Sequence, residues 1–168
     1  MSFDEVYRKH YKELMRFGRH LNITSEKTED LIQEAYLRFY LELKKNVVFN
    51  NPRAWLYKVL LNLFRTQFNN GKRELEINEE LVFSKAGSYD PQDEYYNTEK
   101  RQIIAVILKK MPERDKEILL LYHNGFSYAE MAEILEINPN SIGQTLVRAI
   151  EKLKDILKLH YHEMFEQN

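Results

Sequence analysis

Apolar residues recur along this chain at three- and four-residue steps, while strict alternation is absent and glycine and proline are rare (5 and 4 of 168 residues). That spacing puts apolar side chains on one face of a helix, so the pattern restricts the chain to an all-α fold. Phe3, Val6, Tyr7, His10, Leu14, Phe17 and Leu21 mark a first amphipathic helix, which Asn22-Ile23-Thr24 interrupts. A second helix starts near Ser25, with Thr24 or Ser25 as its cap, and runs to about Leu43. Lys44 to Asn51 lack the periodicity and end in Asn50-Asn51-Pro52, with Pro52 suited to a first helical position. Leu56, Val59, Leu60, Leu63, Phe64 and Phe68 form the stripe of a third helix, which Asn69-Asn70-Gly71 stops.

Residues 73–97 break the pattern. They hold Gly87, Ser88 and Pro91 and show no sustained stripe, as expected of a linker between two small helical domains, 1–72 and 98–168. Leu75, Ile77, Leu81, Val82 and Phe83 are apolar enough for the segment to dock on a partner. Charge follows the same division. Residues 1–72 carry 13 Lys and Arg against 8 Asp and Glu, residues 73–99 carry 2 against 8, and residues 100–168 carry 10 against 10. An acidic segment therefore masks a basic first half behind a net charge of −1.

Beyond the linker, helices are expected over Thr98–Lys110, Pro112–His123, Ser127–Leu135 and Pro139 to about His160. The last two are joined by Glu136-Ile137-Asn138, with the small Ala132 available for a close crossing. Such a pair reads as a helix-turn-helix whose second helix enters a major groove. Ile142, Leu146, Ala149, Ile150 and Leu153 would pack inward, leaving Asn140, Ser141, Gln144, Thr145, Arg148 and Lys152 for base edges and phosphates. From periodicity alone, a helical hairpin with a solvated polar face fits equally well.

Three stretches resemble one family. Met111-Pro112-Glu113-Arg114-Asp115-Lys116-Glu117-Ile118-Leu119-Leu120-Leu121-Tyr122, followed by Gly125-Phe126-Ser127-Tyr128-Ala129-Glu130-Met131-Ala132, resembles domain 4 of RNA polymerase sigma factors. Thr28-Glu29-Asp30-Leu31-Ile32-Gln33-Glu34-Ala35-Tyr36-Leu37-Arg38 and Pro52-Arg53-Ala54-Trp55-Leu56-Tyr57-Lys58-Val59-Leu60-Leu61-Asn62 resemble two segments of domain 2. Order and spacing are similar to those of the small extracytoplasmic-function sigma factors.

The resemblance implies a non-enzymatic, cytoplasmic subunit that binds core RNA polymerase through its clamp coiled coil and flap tip, reads and melts promoter DNA, and is held by an anti-sigma factor. By position it assigns Asp30, Leu31, Gln33, Glu34 and Arg38 to the polymerase clamp. Lys44, Lys45, Asn46, Arg53, Trp55, Lys58, Asn62 and Arg65 fall at the −10 element, and the polar face of the helix-turn-helix at the −35 element. Trp55 is open to two readings, base stacking or core. The sequence departs from the family pattern at Glu136, where the interhelical turn often has glycine, and over Gly143-Gln144-Thr145, which lack the usual cations. Gly143 inside a helix costs about 0.5–1 kcal/mol relative to alanine, a cost that close approach of DNA backbone would justify.

Other classes fit less of the chain. A polymerase-independent helix-turn-helix regulator leaves the first 72 residues unexplained. An enzyme finds no phosphate-binding glycine loop, metal-protease motif or nucleophile elbow. The chain has no cysteine, so disulfides and thiolate chemistry are excluded, and no metal or other cofactor is expected. Its N-terminus lacks a signal pattern, and no apolar run approaches the roughly 20 residues of a membrane span.

Overall fold

Three helices pack on one another in the first half: α1 (Phe3–His20), α2 (Ser25–Lys44) and α3 (Pro52–Asn70). The computed structural model describes residues 2–21, 25–70, 103 and 106–166. The linker and most of the helix expected over Thr98–Lys110 lie outside the described residues, although 106–110 are helical. The second half contains α4 (Glu113–His123), α5 (Tyr128–Leu135), a short 3-10 turn (Pro139–Ser141) and α6 (Ile142–Glu166). No strand occurs among the described residues. Two helical domains match the fold class expected from the sequence.

Local chemistry explains the helix starts. Ser2 caps α1 and Ser127 caps α5, each accepting from the backbone N–H three residues on while a glutamate, Glu5 or Glu130, accepts from the cap's own N–H. These reciprocal boxes satisfy donors that a helix start leaves orphaned. Asn51 caps α3: its side-chain oxygen accepts from the Ala54 N–H at 3.0 Å, and Pro52 occupies the first position, where no N–H is missed.

The first core is built from Val6, Leu14, Phe17, Ile32, Tyr36, Phe39, Leu56, Tyr57, Leu60 and Phe64, all buried. Gly18 lets α1 and α2 approach closely, since a Cβ there would overlap the γ-methyl of Thr28. The second core gathers Ile118, Leu121, Phe126, Met131, Ile134, Leu135, Ile142, Leu146 and Ala149. The two join into one apolar cluster where α3 meets α5, and Phe126 packs edge-on against Tyr57 with ring centroids 4.7 Å apart. No local sequence pattern marks this contact.

Glu136 ends α5 in the left-handed region (φ 56°, ψ 44°). A side chain is disfavoured there by about 1–2 kcal/mol, which is the physical reason glycine suits this turn. Asn138 then caps the 3-10 turn by accepting from the Asn140 N–H at 2.9 Å, and α6 follows directly.

Candidate nucleic-acid interface

The α3 residues expected at DNA lie close together, but most of their polar groups already have protein partners. Arg65 meets Glu117 of α4 through two bonds, Nε to Oε1 at 3.0 Å and Nη2 to Oε2 at 2.6 Å. Glu117 is 1% exposed, and its hydrogen bonds raise the Arg65 pKa above its already high ordinary value, so the guanidinium stays charged. Asn62 accepts from Arg65 Nη1 at 3.3 Å. Lys58 pairs with Glu136 at 3.0 Å.

Arg53 is held on several sides. Its Nε donates to Glu13 at 2.9 Å and its Nη2 to the Asn124 carbonyl at 2.7 Å. Its guanidinium lies 4.0 Å from the centroid of the Phe126 ring, a cation–π contact. Glu13 also bonds His10 Nδ1 at 2.7 Å, so His10, Glu13, Arg53 and Asn124 form a continuous polar chain from α1 to the second domain. Tyr57, beneath Arg53, is buried, and burial pushes its phenol pKa far up, keeping it neutral. Asn51 completes the row, donating from Nδ2 to Glu130 Oε1 at 2.6 Å.

The loop before α3 stands apart from these contacts. Lys44, Lys45 and Asn46 are exposed, Lys45 pairs with Glu42 three residues before it, and Asn46 adopts a left-handed φ of 61°. Val48 is 86% exposed at the loop's outer edge. Phe49 anchors the loop by packing on Phe39 and Trp55. Trp55 is half-buried in that aromatic group, which favours the core reading over base stacking.

On α2, Asp30, Gln33 and Arg38 are exposed, and Arg38 bonds Glu34 at 2.7 Å. Leu31 does not belong to this strip. It is 8% exposed and packs inward with Ile32, Ala35 and Phe39, as the helical phase requires. Sequence reasoning missed Leu37 and Leu41, both about half exposed, which share the outward face with Gln33 and Arg38. Their signal was available: two leucines out of phase with the core stripe.

At the start of α6, Asn140, Gln144 and Arg148 are exposed. Ser141 donates to the Asn138 carbonyl and Thr145 to the Ser141 carbonyl, both at 2.7 Å, so these hydroxyls are engaged in local backbone contacts. Lys152, expected at DNA, reaches across to α4 and pairs with Asp115, its side chain half exposed. Val147, 54% exposed, shares a face with Gln144 and was also missed. Gly143 approaches Tyr128 only at ordinary contact distance, 3.7 Å from its nearest atom for an added Cβ.

Among the described residues, no group of three or more His, Asp or Glu is arranged to hold a metal ion, and no helix is long and apolar enough to cross a membrane. Residues 6–74 match the family model described as Sigma-70 region 2, and residues 101–153 match that of Sigma-70, region 4. The chain is 27% identical to the ECF RNA polymerase sigma factor SigM of Bacillus subtilis, covering 92% of this chain and 94% of that relative. It is 29% identical to the ECF RNA polymerase sigma factor EcfG of Rhodopseudomonas palustris, with coverages of 90% and 83%. Its fold is similar to that of the sigma factor RpoE in complex with the anti-sigma factor NepR from Bartonella quintana, with a TM-score of 0.72, 24% identity, and 93% of this chain and 96% of that one covered. It is also similar to CnrH in complex with the cytosolic domain of CnrY, with a TM-score of 0.67, 20% identity, and coverages of 94% and 88%.

Proposed function

Because this chain belongs to the sigma-70 family of RNA polymerase sigma factors, in its extracytoplasmic-function branch, we propose that its two helical domains divide the reading of a promoter between them. The protein binds core RNA polymerase and directs promoter recognition and transcription initiation. In our reading, residues 1–72 dock on the polymerase and engage the −10 element. Residues 98–168 engage the −35 element, and 73–97 tether the two.

The carrying observation is that both family regions occur on one chain, in order, over 6–74 and 101–153. A regulator acting without polymerase has no use for the first of these. Within that frame the exposed strip of Asp30, Gln33, Glu34 and Arg38, extended by Leu37 and Leu41, is the polymerase-facing surface. It combines charges with an apolar ridge, as docking surfaces do. Lys44, Lys45 and Asn46, with Arg53, Lys58, Asn62 and Arg65, form the −10 surface, where Lys and Arg neutralise phosphate and amides meet base edges. Asn140, Gln144 and Arg148, with Val147 available to a thymine methyl group, form the −35 surface.

The protein carries no reaction of its own in this reading and acts in the cytoplasm. An anti-sigma factor is a further expected partner, supported by fold similarity to the sigma factors solved with NepR and with CnrY. Run-off transcription tests the function. Purified chain added to core polymerase should yield discrete transcripts from promoters mapped by sequencing RNA ends in overexpressing cells. Absence of both core binding and transcripts would reject it.

A further inference from the structure

Two parallel stripes run down the outer face of α6 from its first turn. Gln144 and Arg148, both exposed, form one of them, and Gly143 and Val147 form the other. Ile142, Leu146 and Ala149 are buried on the opposite side, which fixes the phase of both stripes. Other polar groups of this region are used inside the protein. The Ser141 and Thr145 hydroxyls donate to backbone carbonyls, and Lys152 pairs with Asp115. Over its first two turns the face therefore offers a DNA groove one amide, one guanidinium and one isopropyl group, that of Val147, 54% exposed.

Valine is a short side chain for a reading face. It touches a base edge only where the helix backbone comes close, and Gly143 supplies that closeness. Helical side chains lean toward the N-terminus, so Val147 covers the turn that begins at Gly143. Position 143 has no side chain of its own, and an added Cβ would find its nearest neighbour in the Tyr128 ring, 3.7 Å away. The result is a shallow apolar notch, floored by Gly143 and bordered by Val147 and Tyr128. A long cation at 143 would fill the notch and hold α6 off the base edges.

We propose that Gly143, Gln144 and Val147 read two neighbouring A·T base pairs, with the Gln144 amide bonded to adenine at N6 and N7 and Val147, over the Gly143 turn, packed on the C5-methyl group of thymine. The inference rests on the reading of α6 as the −35 helix and adds which bases that helix selects. A glutamine amide donates to adenine N7 and accepts from N6, and the C5-methyl distinguishes thymine from the other three bases. Side chains three apart on a helix stand about 5–6 Å apart, and bases stack at about 3.4 Å along a strand, so the two contacts fall on neighbouring pairs. Arg148 is the one cation in these two turns, and Glu133 and Glu136 are exposed at the end of α5, so selection leans on base edges more than on phosphates.

The full chain, alone and with core polymerase, is used to select from a pool of randomised duplexes at low salt. Two neighbouring A·T pairs should be enriched. Replacing the selected thymine by deoxyuridine deletes only the methyl group and should weaken binding by about fourfold. Val147→Ser should bind the thymine and deoxyuridine duplexes alike. Gly143→Lys adds a cation, so overall affinity should rise while the thymine preference disappears. Gln144→Glu should move the preference at its own position from adenine to cytosine, whose N4 amino group donates to a carboxylate. None of the three positions is buried, and circular dichroism checks that each variant keeps its helices.

Equal binding of thymine and deoxyuridine duplexes by the wild-type chain would overturn the notch. So would a pool without A·T enrichment, or a thymine preference that survives in both Val147→Ser and Gly143→Lys. The two readings fail separately. A chain that discriminates the methyl group but yields no transcript with core polymerase keeps the notch and loses the sigma function, whereas a transcribing chain indifferent to the methyl group loses the notch alone.

Discussion

Arg65 and Glu117, 52 positions apart in the chain, meet in a two-point ion pair with bonds of 3.0 and 2.6 Å, and the carboxylate is almost completely shielded from solvent. Removing one partner of a shielded pair strands the other charge. Glu117→Ala should therefore destabilise the protein by about 2–3 kcal/mol, a value reduced from the fully buried case because Arg65 keeps some solvent contact. Glu136→Gln, at the accessible Lys58 pair, should cost less than about 1 kcal/mol. Urea unfolding of the two variants measures both, and equal losses would contradict the difference in shielding.

Gly18 and Thr28 form a steric couple between α1 and α2. Glycine to alanine inside a helix ordinarily stabilises by about 1 kcal/mol. Here the added methyl overlaps the Thr28 γ-methyl, so Gly18→Ala should instead destabilise, by about 1–3 kcal/mol. Thr28→Ser removes that methyl and keeps the hydroxyl. The double variant should recover most of the loss in thermal melts, and no recovery would mean that another contact is responsible.

Gly143 presents the opposite case. Its surroundings leave room for a Cβ, and nothing among the described residues requires glycine. Gly143→Ala should stabilise by about 0.5–1 kcal/mol. If −35-dependent initiation then falls despite the gain in stability, the glycine serves approach to DNA, and if initiation is unchanged it does not.

Glu130 carries a pH dependence. Hydrogen bonds from the Ser127 backbone, opposed by partial burial and aided by Ser127 and Asn51 side chains, hold its carboxyl pKa below the ordinary carboxylate range. A depressed acid stabilises the folded state above its unfolded pKa, and that contribution is lost as pH falls through the folded value. The stability difference between wild type and Glu130→Gln should be largest near neutrality and shrink below about pH 4.5, as seen in urea titrations at each pH. A constant difference would assign the loss to something other than charge.

Initiation itself separates the two reading surfaces. Arg148→Ala should weaken −35-dependent initiation by about 1–3 kcal/mol if the guanidinium makes a paired base contact. Asn62→Ala should reduce −10 use with core binding intact. Run-off assays with a core-binding control check both, and equal loss of core binding would make Asn62 a structural residue.

The helices and their ends were legible because they are local. Three- and four-residue spacing located α1 and α3, and a capped start near Ser25 located α2. The departure at Glu136 was visible too, although only the backbone angle gives its meaning. The contacts of α3 were not legible. Asn51–Glu130 spans 79 positions and Arg53–Asn124 spans 71, and no local pattern encodes which acceptor will meet a given cation. An arginine suited to phosphate is equally suited to carboxylate. The partner of Lys152 was hidden for the same reason: its helical position is polar, and Asp115 lies 37 positions away. Leu31 was different, since its phase with Ile32, Ala35 and Phe39 already marked it as core.

Asn51 starts one helix with its oxygen and joins the two domains with its nitrogen, through one planar amide. Selection on this position is consequently double. Aspartate would preserve the helix start but face Glu130 with a like charge, and serine would preserve a start without reaching across. A lineage that drifts at residue 51 can therefore loosen the association of its domains while every helix remains intact, a route to divergence in regulation that leaves the fold unmarked.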